Sequence, residues 1–333
     1  MSTSEFDTLF QSFNTLKIGV IGDVMLDTYW WGKVDRISPE APVPVVAVSK
    51  KEQRIGGAGN VALNVVSLGA AVSVISIIGN DDEGKQLVSL LNDNNINTDF
   101  IIANNERITT NKIRIISRNQ HMMRLDAEVT TALSIDTEEL LINAFTKYVA
   151  DVKPQLVILE DYNKGLLTKN VIEKVIAICK KNNILTAVDP KRKNFFEYKR
   201  VDIFKPNLHE VKEALHILGE EVSEKILEEM HDLLSNKLQH KISIITLSEK
   251  GVFYESDTEK AIMPTHIRSI ADVSGAGDTV IAVASVVYAA SKNVRLMAEI
   301  ANIAGGLVCE EVGTVAIDKN KLGEECKHLL IKK

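Results

Sequence analysis

The segment ADVSGAGDT, Ala271–Thr279, sets a Gly-Ala-Gly turn directly before a long apolar stretch that opens near Asp278. Backbone N–H groups of Gly275, Ala276 and Gly277 at a helix N-terminus can converge on a phosphoryl group, and the small side chains let it come close. Asp278 would stand at the mouth of this anion hole. A carboxylate there can accept the proton of an attacking hydroxyl while the hole stabilises charge on the transferring group. An Asp in a helix's first turn also complements the dipole without doing any chemistry, so the motif alone leaves both readings open.

Five further clusters bear on the choice. In RIGGAGNVALN, Arg54–Asn64, the glycines Gly56 and Gly57 allow backbone to approach a polyol and the Asn60 amide can bond its hydroxyls; Asn60 could equally be an N-cap. GDVMLD ends the first apolar run, where ligands bind outside the carboxyl ends of parallel strands, and Asp27 is either a ligand contact or a solvated turn residue. KPNLHE, Lys205–Glu210, has the N-x-x-E spacing of a capping box, with Asn207 as cap and Glu210 at the third helical position. The same carboxylate could hold hydrated magnesium against phosphates. EDYNKG and DPK put Asp161, Lys164, Asp189 and Lys191 at strand ends along the same edge.

Other motifs fail on their own chemistry. GNDDEGKQ, Gly79–Gln86, satisfies G-x-x-x-x-G-K but has Gln86 where a P-loop needs Ser or Thr, and three carboxylates in the loop would repel polyphosphate. HEVKE has Glu213 where a zinc protease needs its second histidine. Gly56-Gly57-Ala58-Gly59 lacks the third glycine of a dinucleotide fingerprint.

The elements that must position these residues are short apolar runs (KIGVIG, AVSVISIIG, QLVILE, ILTAVD, DIFKPN, ISIITLS) alternating with amphipathic stretches at Asn60–Leu68, Glu138–Val149, Asn170–Lys181 and His209–Leu218. This rhythm, with strands nearly continuous in apolar residues, predicts an α/β fold with a doubly wound, mostly parallel sheet flanked by helices. Two segments break it, 28–51 with its aromatics and prolines and 108–124 with its alternation. They are expected to form one small antiparallel β lid inserted into a single domain spanning 1–333. The 333 residues carry 39 basic and 45 acidic side chains, a net charge of −6, and show no basic block, so nucleic acid and anionic membrane surfaces are not expected partners. The three cysteines form no CxxC pair, no leader-like start is present and no apolar run spans a bilayer; a cytoplasmic protein is expected. Val280–Ala290 reads as a buried core helix.

Taken in their order along the chain, an early GGAGN, a central N-x-x-E and a late D-x-x-G-A-G-D, these motifs resemble those of the ribokinase-like (PfkB) carbohydrate kinases across essentially the whole sequence. The resemblance implies an ATP- and Mg²⁺-dependent sugar kinase with Asp278 as catalytic base and the Gly275, Ala276, Gly277 turn as anion hole. It implies sugar contacts at Asp27, Gly56, Gly57 and Asn60, with Asp161 and Lys164 as further contacts. It places nucleotide contacts at Lys205, Asn207, Thr246, Ser248, Gly251 and Asn302, magnesium at Asn207 and Glu210 through water, and a monovalent cation such as K⁺ at Asp272 and Ser274. A phosphorylated acceptor needs cations, for which Arg36, Arg114, Arg118 and Arg124 stand in or beside the lid. The apolar lid, with Tyr29, Trp30 and Trp31, implies a homodimer paired lid to lid. Val273 departs from the usual Thr, and Glu310 and Glu311 stand where a basic residue is expected. Bifunctional relatives add a nucleotidyltransferase domain with H-x-G-H; no such motif occurs in this sequence, and the expectation is that nucleotide transfer falls to another protein. A kinase of another sugar phosphate or nucleoside, or a non-catalytic sugar sensor, would share the fold.

Overall fold

The computed structural model describes residues 2–331 apart from 119, 220, 221 and 267. Helix α1 (Thr3–Ser12), started by a Ser2–Glu5 capping box, leads to β1 (Lys17–Gly22). The chain then leaves the sheet as a ribbon, β2 (Val24–Ile37) and β3 (Pro44–Gly57), and returns through α2 (Ala58–Ser67) to β4 (Ala71–Gly79). After α3 (Asp82–Asp93) and β5 (Asn97–Asn104) a second ribbon, β6 (Asn111–Ser117) and β7 (Gln120–Ala127), departs again. The alternation then runs α4 (Ile135–Val152), β8 (Leu156–Glu160), α5 (Lys169–Lys181), β9 (Leu185–Asp189) and β10 (Ile203–Phe204). It continues through α6 (Leu208–Leu215) and α7 (Glu224–Leu238) to β11 (Ile242–Thr246). Strands β12 (Val252–Ser256) and β13 (Lys260–Met263) and helices α8 (Ala276–Ser291), α9 (Val294–Val308) and α10 (Lys319–Leu330) complete the chain.

The main sheet has the order β13-β12-β11-β10-β9-β8-β1-β4-β5. It is parallel from β5 to β11, and β12 and β13 close one edge antiparallel. Helices cover both faces, which is why its strands are apolar on both sides. Strand parity sorts the two cores. Leu156 and Ile158 enter the layer shared with α1, α2, α8 and α9, while Val157 and Leu159 enter the layer shared with α4, α5 and α7. Phe145 of α4 is fully buried in that second layer, so Phe145→Ala costs about 3–5 kcal/mol by the usual cavity penalty.

The two ribbons assemble into one four-stranded lid, ordered β3-β2-β6-β7. Each ribbon is antiparallel, and the two meet along a central parallel pairing of β2 with β6. The lid strands run deeper than the expected segments, to Val24, Gly57 and Ala127, so Asp27 and Gly56 belong to its root. The rejected P-loop segment is a turn and helix start: Asp81 caps α3 through Gly84 N–H at 2.7 Å and accepts from the N–H and hydroxyl of Thr109, both at 2.7 Å, where the chain heads into the second ribbon. The carboxyl ends of β1, β8, β9, β10 and β11, neighbours in the sheet, bring the remaining motifs to one edge.

Candidate active site

Helix α8 begins at the Gly-Ala-Gly turn. Gly275 has φ +81°, and a Cβ there would stand 2.9 Å from Asn60 Nδ2, so both conformation and space call for glycine. One turn into the helix, Asp278 is buried, and its two oxygens have separate donors. Asn60 Nδ2 donates to Oδ2 and the Tyr162 hydroxyl to Oδ1, both at 2.7 Å. Asn60 is the third residue of α2, whose cap is Gly57, so the capping role is excluded. Its placement is reinforced by Asn64, which donates to Asn60 O at 2.9 Å and accepts from Thr279 Oγ1 at 3.1 Å. Burial pushes the pKa of Asp278 up to about 6, the charge of Asp189 adds to this, and the Asn60 and Tyr162 donors hold it back. A carboxylate so poised is ionised at neutral pH and still basic enough to take a hydroxyl proton.

Beside it lies a cluster that spacing alone does not disclose. Carboxylate oxygens of Glu160, Asp189 and Asp278 lie within 4.8 Å of one another. Lys205 Nζ, itself buried, stands 2.8 Å from Asp189 Oδ2, and Lys191 Nζ bridges Asp189 at 3.4 Å and Glu210 at 2.6 Å. Burial works against the charge on Asp189, yet these two ammonium groups hold its pKa below the usual range. Among the described residues Glu160 has no donor on either oxygen. Burial, with Asp189 and Asp278 nearby, pushes its pKa well above the ordinary value. Asn207 and Glu210 form the capping box of α6, each side chain bonded to the other's backbone N–H at 2.8 Å. Even with Glu160 neutral, three carboxylates face two ammonium groups. Hard oxygen donors with an excess of negative charge fit a hydrated Mg²⁺. Glu210, expected for this role, would hold it with Asp189, which shares Lys191 with it, while Asn207, also expected, has its side-chain oxygen engaged by the Glu210 N–H.

A cavity of about 680 Å³ opens from this cluster, within the usual range for a small-molecule site. Gly275, Ala276, Gly277, Asp278 and Lys205 line its inner end; Asn207, Thr246, Ser248, Gly251 and Asn302 line it further along. Gly251, at φ +101°, lets the chain pass Met263 O, which a Cβ would meet at 1.9 Å. The Asn302 amide nitrogen donates to Met263 O at 3.3 Å and Pro264 O at 2.9 Å, fixing its orientation. The basic residue missing at Glu310 comes from another loop. Arg268 lines the cavity, held by Glu310 at 2.8 Å and Glu325 at 2.5 Å.

On the lid side, Asp27 is buried and paired with Arg114; a Cβ at Gly56 would come within 2.4 Å of Asp27 Oδ2, and one at Gly57 within 2.4 Å of Asp23 O. The Asp23 carboxylate accepts from N–H of Tyr162, Lys164 and Leu166, which fixes the DYNKG loop. Lys164 Nζ is paired with Glu128 at 2.6 Å. Asp161 is not brought to the cavity. Its carboxylate accepts from the Tyr198 hydroxyl at 2.7 Å and Asn163 N–H at 2.8 Å, on the opposite face of β8 from Glu160. Arg124 is exposed and bonded to Asp126 through both Nε and Nη2; Arg36 and Arg118 are exposed. Asp272 accepts from N–H of Ser274 at 2.9 Å and Gly313 at 3.0 Å, so the two residues share one turn beside the anion hole.

An anion hole and a buried base at one end of a cavity of small-molecule size are the arrangement a phosphotransferase needs. The model of the pfkB family carbohydrate kinases matches residues 15–321, and the chain belongs to that family. It is a sugar kinase, and membership implies ATP as donor and typically Mg²⁺. The chain is 39% identical over 317 residues to the protein named Bifunctional protein HldE of Sulfurimonas denitrificans, covering 95% of this chain and 65% of that one. It thus spans about two thirds of the length of the curated relatives it matches. The fold is that of phosphofructokinase-2 from Escherichia coli in complex with potassium (TM-score 0.78, 17% identity, 95% of this chain and 99% of that one). It is equally that of Arabidopsis thaliana ribokinase complexed with ribose and ATP (TM-score 0.71, 18% identity, 93% and 99%). Among the described residues no helix is long and apolar enough to cross a membrane.

The sequence pointed to Asp278, Asn60 and the glycines, which the structure brings together. It missed Glu160 and Tyr162. Parity could have found the first, since Leu156, Ile158 and Glu160 share a face and Asp161 does not.

Proposed function

We propose that this kinase transfers the γ-phosphoryl group of ATP to the anomeric C1 hydroxyl of D-glycero-β-D-manno-heptose 7-phosphate, giving the 1,7-bisphosphate, a precursor of lipopolysaccharide core. The observation that carries the reaction type is Asp278, buried, bonded by Asn60 and Tyr162 and standing one turn inside the anion hole. The acceptor rests on the likeness of GDVMLDTYWWGKVDRISPEAPVPV, RIGGAGNVALNVVSLGA and DVSGAGDT to heptose 7-phosphate kinases, and on the bifunctional relative.

In this reading Asp278 accepts the C1 hydroxyl proton as the oxygen attacks. The N–H groups of Gly275, Ala276 and Gly277 and the ammonium of Lys205 face the transferring phosphoryl oxygens. Asp27, with Gly56 and Gly57 giving room, orients the sugar hydroxyls, and the lid excludes water that would otherwise take the phosphoryl group. Bound Mg²⁺, held by Glu210 and Asp189, would neutralise charge on the phosphates. Asp272 and Ser274 offer carboxylate and hydroxyl oxygens to a monovalent cation such as K⁺.

The lid alternates by face. Asp27, Tyr29, Lys112 and Arg114 share one side, while Trp30, Ile113, Ile115, Met123 and Leu125 share the other, with Met123 and Leu125 55% and 43% exposed. That apolar side fits a second copy of the lid, giving a homodimer; light scattering at micromolar concentration that reports a monomer contradicts it.

The test is ADP release with heptose 7-phosphate, fructose 6-phosphate, ribose and adenosine, with Mg²⁺ present or chelated. Turnover confined to the heptose with Mg²⁺ present is expected. Preference for another acceptor removes the heptose assignment, and silence with all four favours a sugar sensor.

A further inference from the structure

Across the face of the lid that carries Asp27, charged side chains stand in two rows. Arg54, Asp27, Lys112 and Asp126 lie opposite one another on β3, β2, β6 and β7; Glu52, Tyr29, Arg114 and Arg124 form the next row. Directly opposed residues share a face and interact. Nearly every cation here has a carboxylate: Arg54 has Glu52 at 2.7 Å, Arg114 has Asp27, Arg124 has Asp126 at 2.9 Å, and nearby Lys164 has Glu128 at 2.6 Å.

Lys112 differs. Among the described residues no carboxylate lies within salt-bridge distance of its ammonium, which instead stands 5.5 Å from the centroid of the Tyr162 ring. The hydroxyl of that ring is bonded to Asp278. Lys112 is thus a half-buried cation in no ion pair of its own, its opposed neighbours Asp27 and Asp126 being engaged by Arg114 and Arg124, one tyrosine ring away from the base. Burial and then the neighbouring Lys164 ammonium push its pKa down, and the carboxylates of Asp27, Asp126 and Glu128, each committed to another cation, offset this only in part.

Resting on the reading of this site as that of a sugar phosphate kinase, we propose that Lys112 receives the phosphate monoester of the acceptor. The anomeric hydroxyl then lies at Asp278 with the sugar spanning the Tyr162 ring. Of the four arginines expected for this role, Arg114 and Arg124 are committed to carboxylates and Arg36 and Arg118 are exposed, whereas among the described residues Lys112 has no ion pair that an incoming dianion must break. An ammonium–phosphate contact is a charge-assisted hydrogen bond, stronger than a neutral one.

The experiment measures kcat/KM with D-glycero-D-manno-heptose 7-phosphate and with the same heptose lacking phosphate, for the full chain, K112M and K112R. The ratio of the two is expected to fall about 10- to 100-fold in K112M, chiefly through KM for the phosphorylated sugar, and to be largely kept in K112R. A wild type that favours the phosphate while K112M keeps the same ratio overturns this proposal alone. Equal loss in K112R and K112M also overturns it, because the effect would then be one of packing. A wild type indifferent to the phosphate overturns the sugar phosphate reading, and this proposal with it.

Discussion

The Tyr162 hydroxyl donates to Asp278 Oδ1 at 2.7 Å, linking the loop after β8 to the first turn of α8. This bond stabilises the ionised carboxylate against the burial that raises its pKa to about 6. Tyr162→Phe removes the donor, so the Asp278 pKa rises further and the acid limb of the kcat/KM profile moves to higher pH. One lost hydrogen bond to a charged group is worth about 1.5–3 kcal/mol, or about one to two pH units at most. A limb that stays in place contradicts the coupling.

Glu160 differs in having no donor to either oxygen among the described residues, and burial beside Asp189 and Asp278 raises its pKa, which favours the protonated form. Glu160→Gln replaces a neutral acid by a neutral amide of the same shape, so activity is expected to stay within a few-fold and stability within about 1 kcal/mol, the range of a substitution that leaves burial and charge alone. Infrared difference spectra of the wild type should contain a protonated carboxyl band that the variant lacks. A large loss of stability in the variant means that Glu160 is ionised and paired.

How far the sequence disclosed this arrangement follows from the range of each interaction. The central strands and the turn before α8 are local patterns, and they stand where the residues place them. The pairing of β2 with β6 joins two ribbons separated by α2, β4, α3 and β5, and no local pattern encodes a parallel junction at that distance. Asp161 and Glu160 show the limit at one residue: both end β8, but only Glu160 points to α8, because the side chain direction alternates along the strand. A lone lysine on an alternating strand carries no signal of its own in the sequence; that Lys112 stands outside the ion pairs is visible only once Arg114 and Arg124 are seen to be engaged.

Glu210 caps α6 and partners Lys191, and Glu210→Gln separates the two roles. Glutamine completes the capping box as well as glutamate does, so the loss of stability is expected to be under about 1 kcal/mol. The lost charge should show as a higher Mg²⁺ concentration for half-maximal activity. An unchanged Mg²⁺ titration contradicts a metal role for this carboxylate.

His240 sets an acid limit on stability. Its Nε2 meets Ser243 Oγ at 2.6 Å, and burial, followed by the neighbouring His231, lowers its pKa from 6.5 to about 3. The unfolded chain binds the proton first as pH falls below 6.5, so stability is lost on acidification, by about 2 kcal/mol between pH 6.5 and 5. Among the described residues Nδ1 has no partner, so His240→Gln can keep the serine bond while removing the titration. Urea unfolding at pH 7.5 and 5 should show a smaller difference in the variant; an equal difference contradicts this origin.

The most direct test of the account is the rate of ADP formation by Asp278→Asn with heptose 7-phosphate and Mg-ATP, set beside acceptor binding by calorimetry. Asparagine keeps the shape of the site but cannot take the proton. A fall in kcat of about 10²- to 10⁴-fold with acceptor binding retained is the result expected for a general base. Near-native turnover in the variant contradicts the assignment of Asp278.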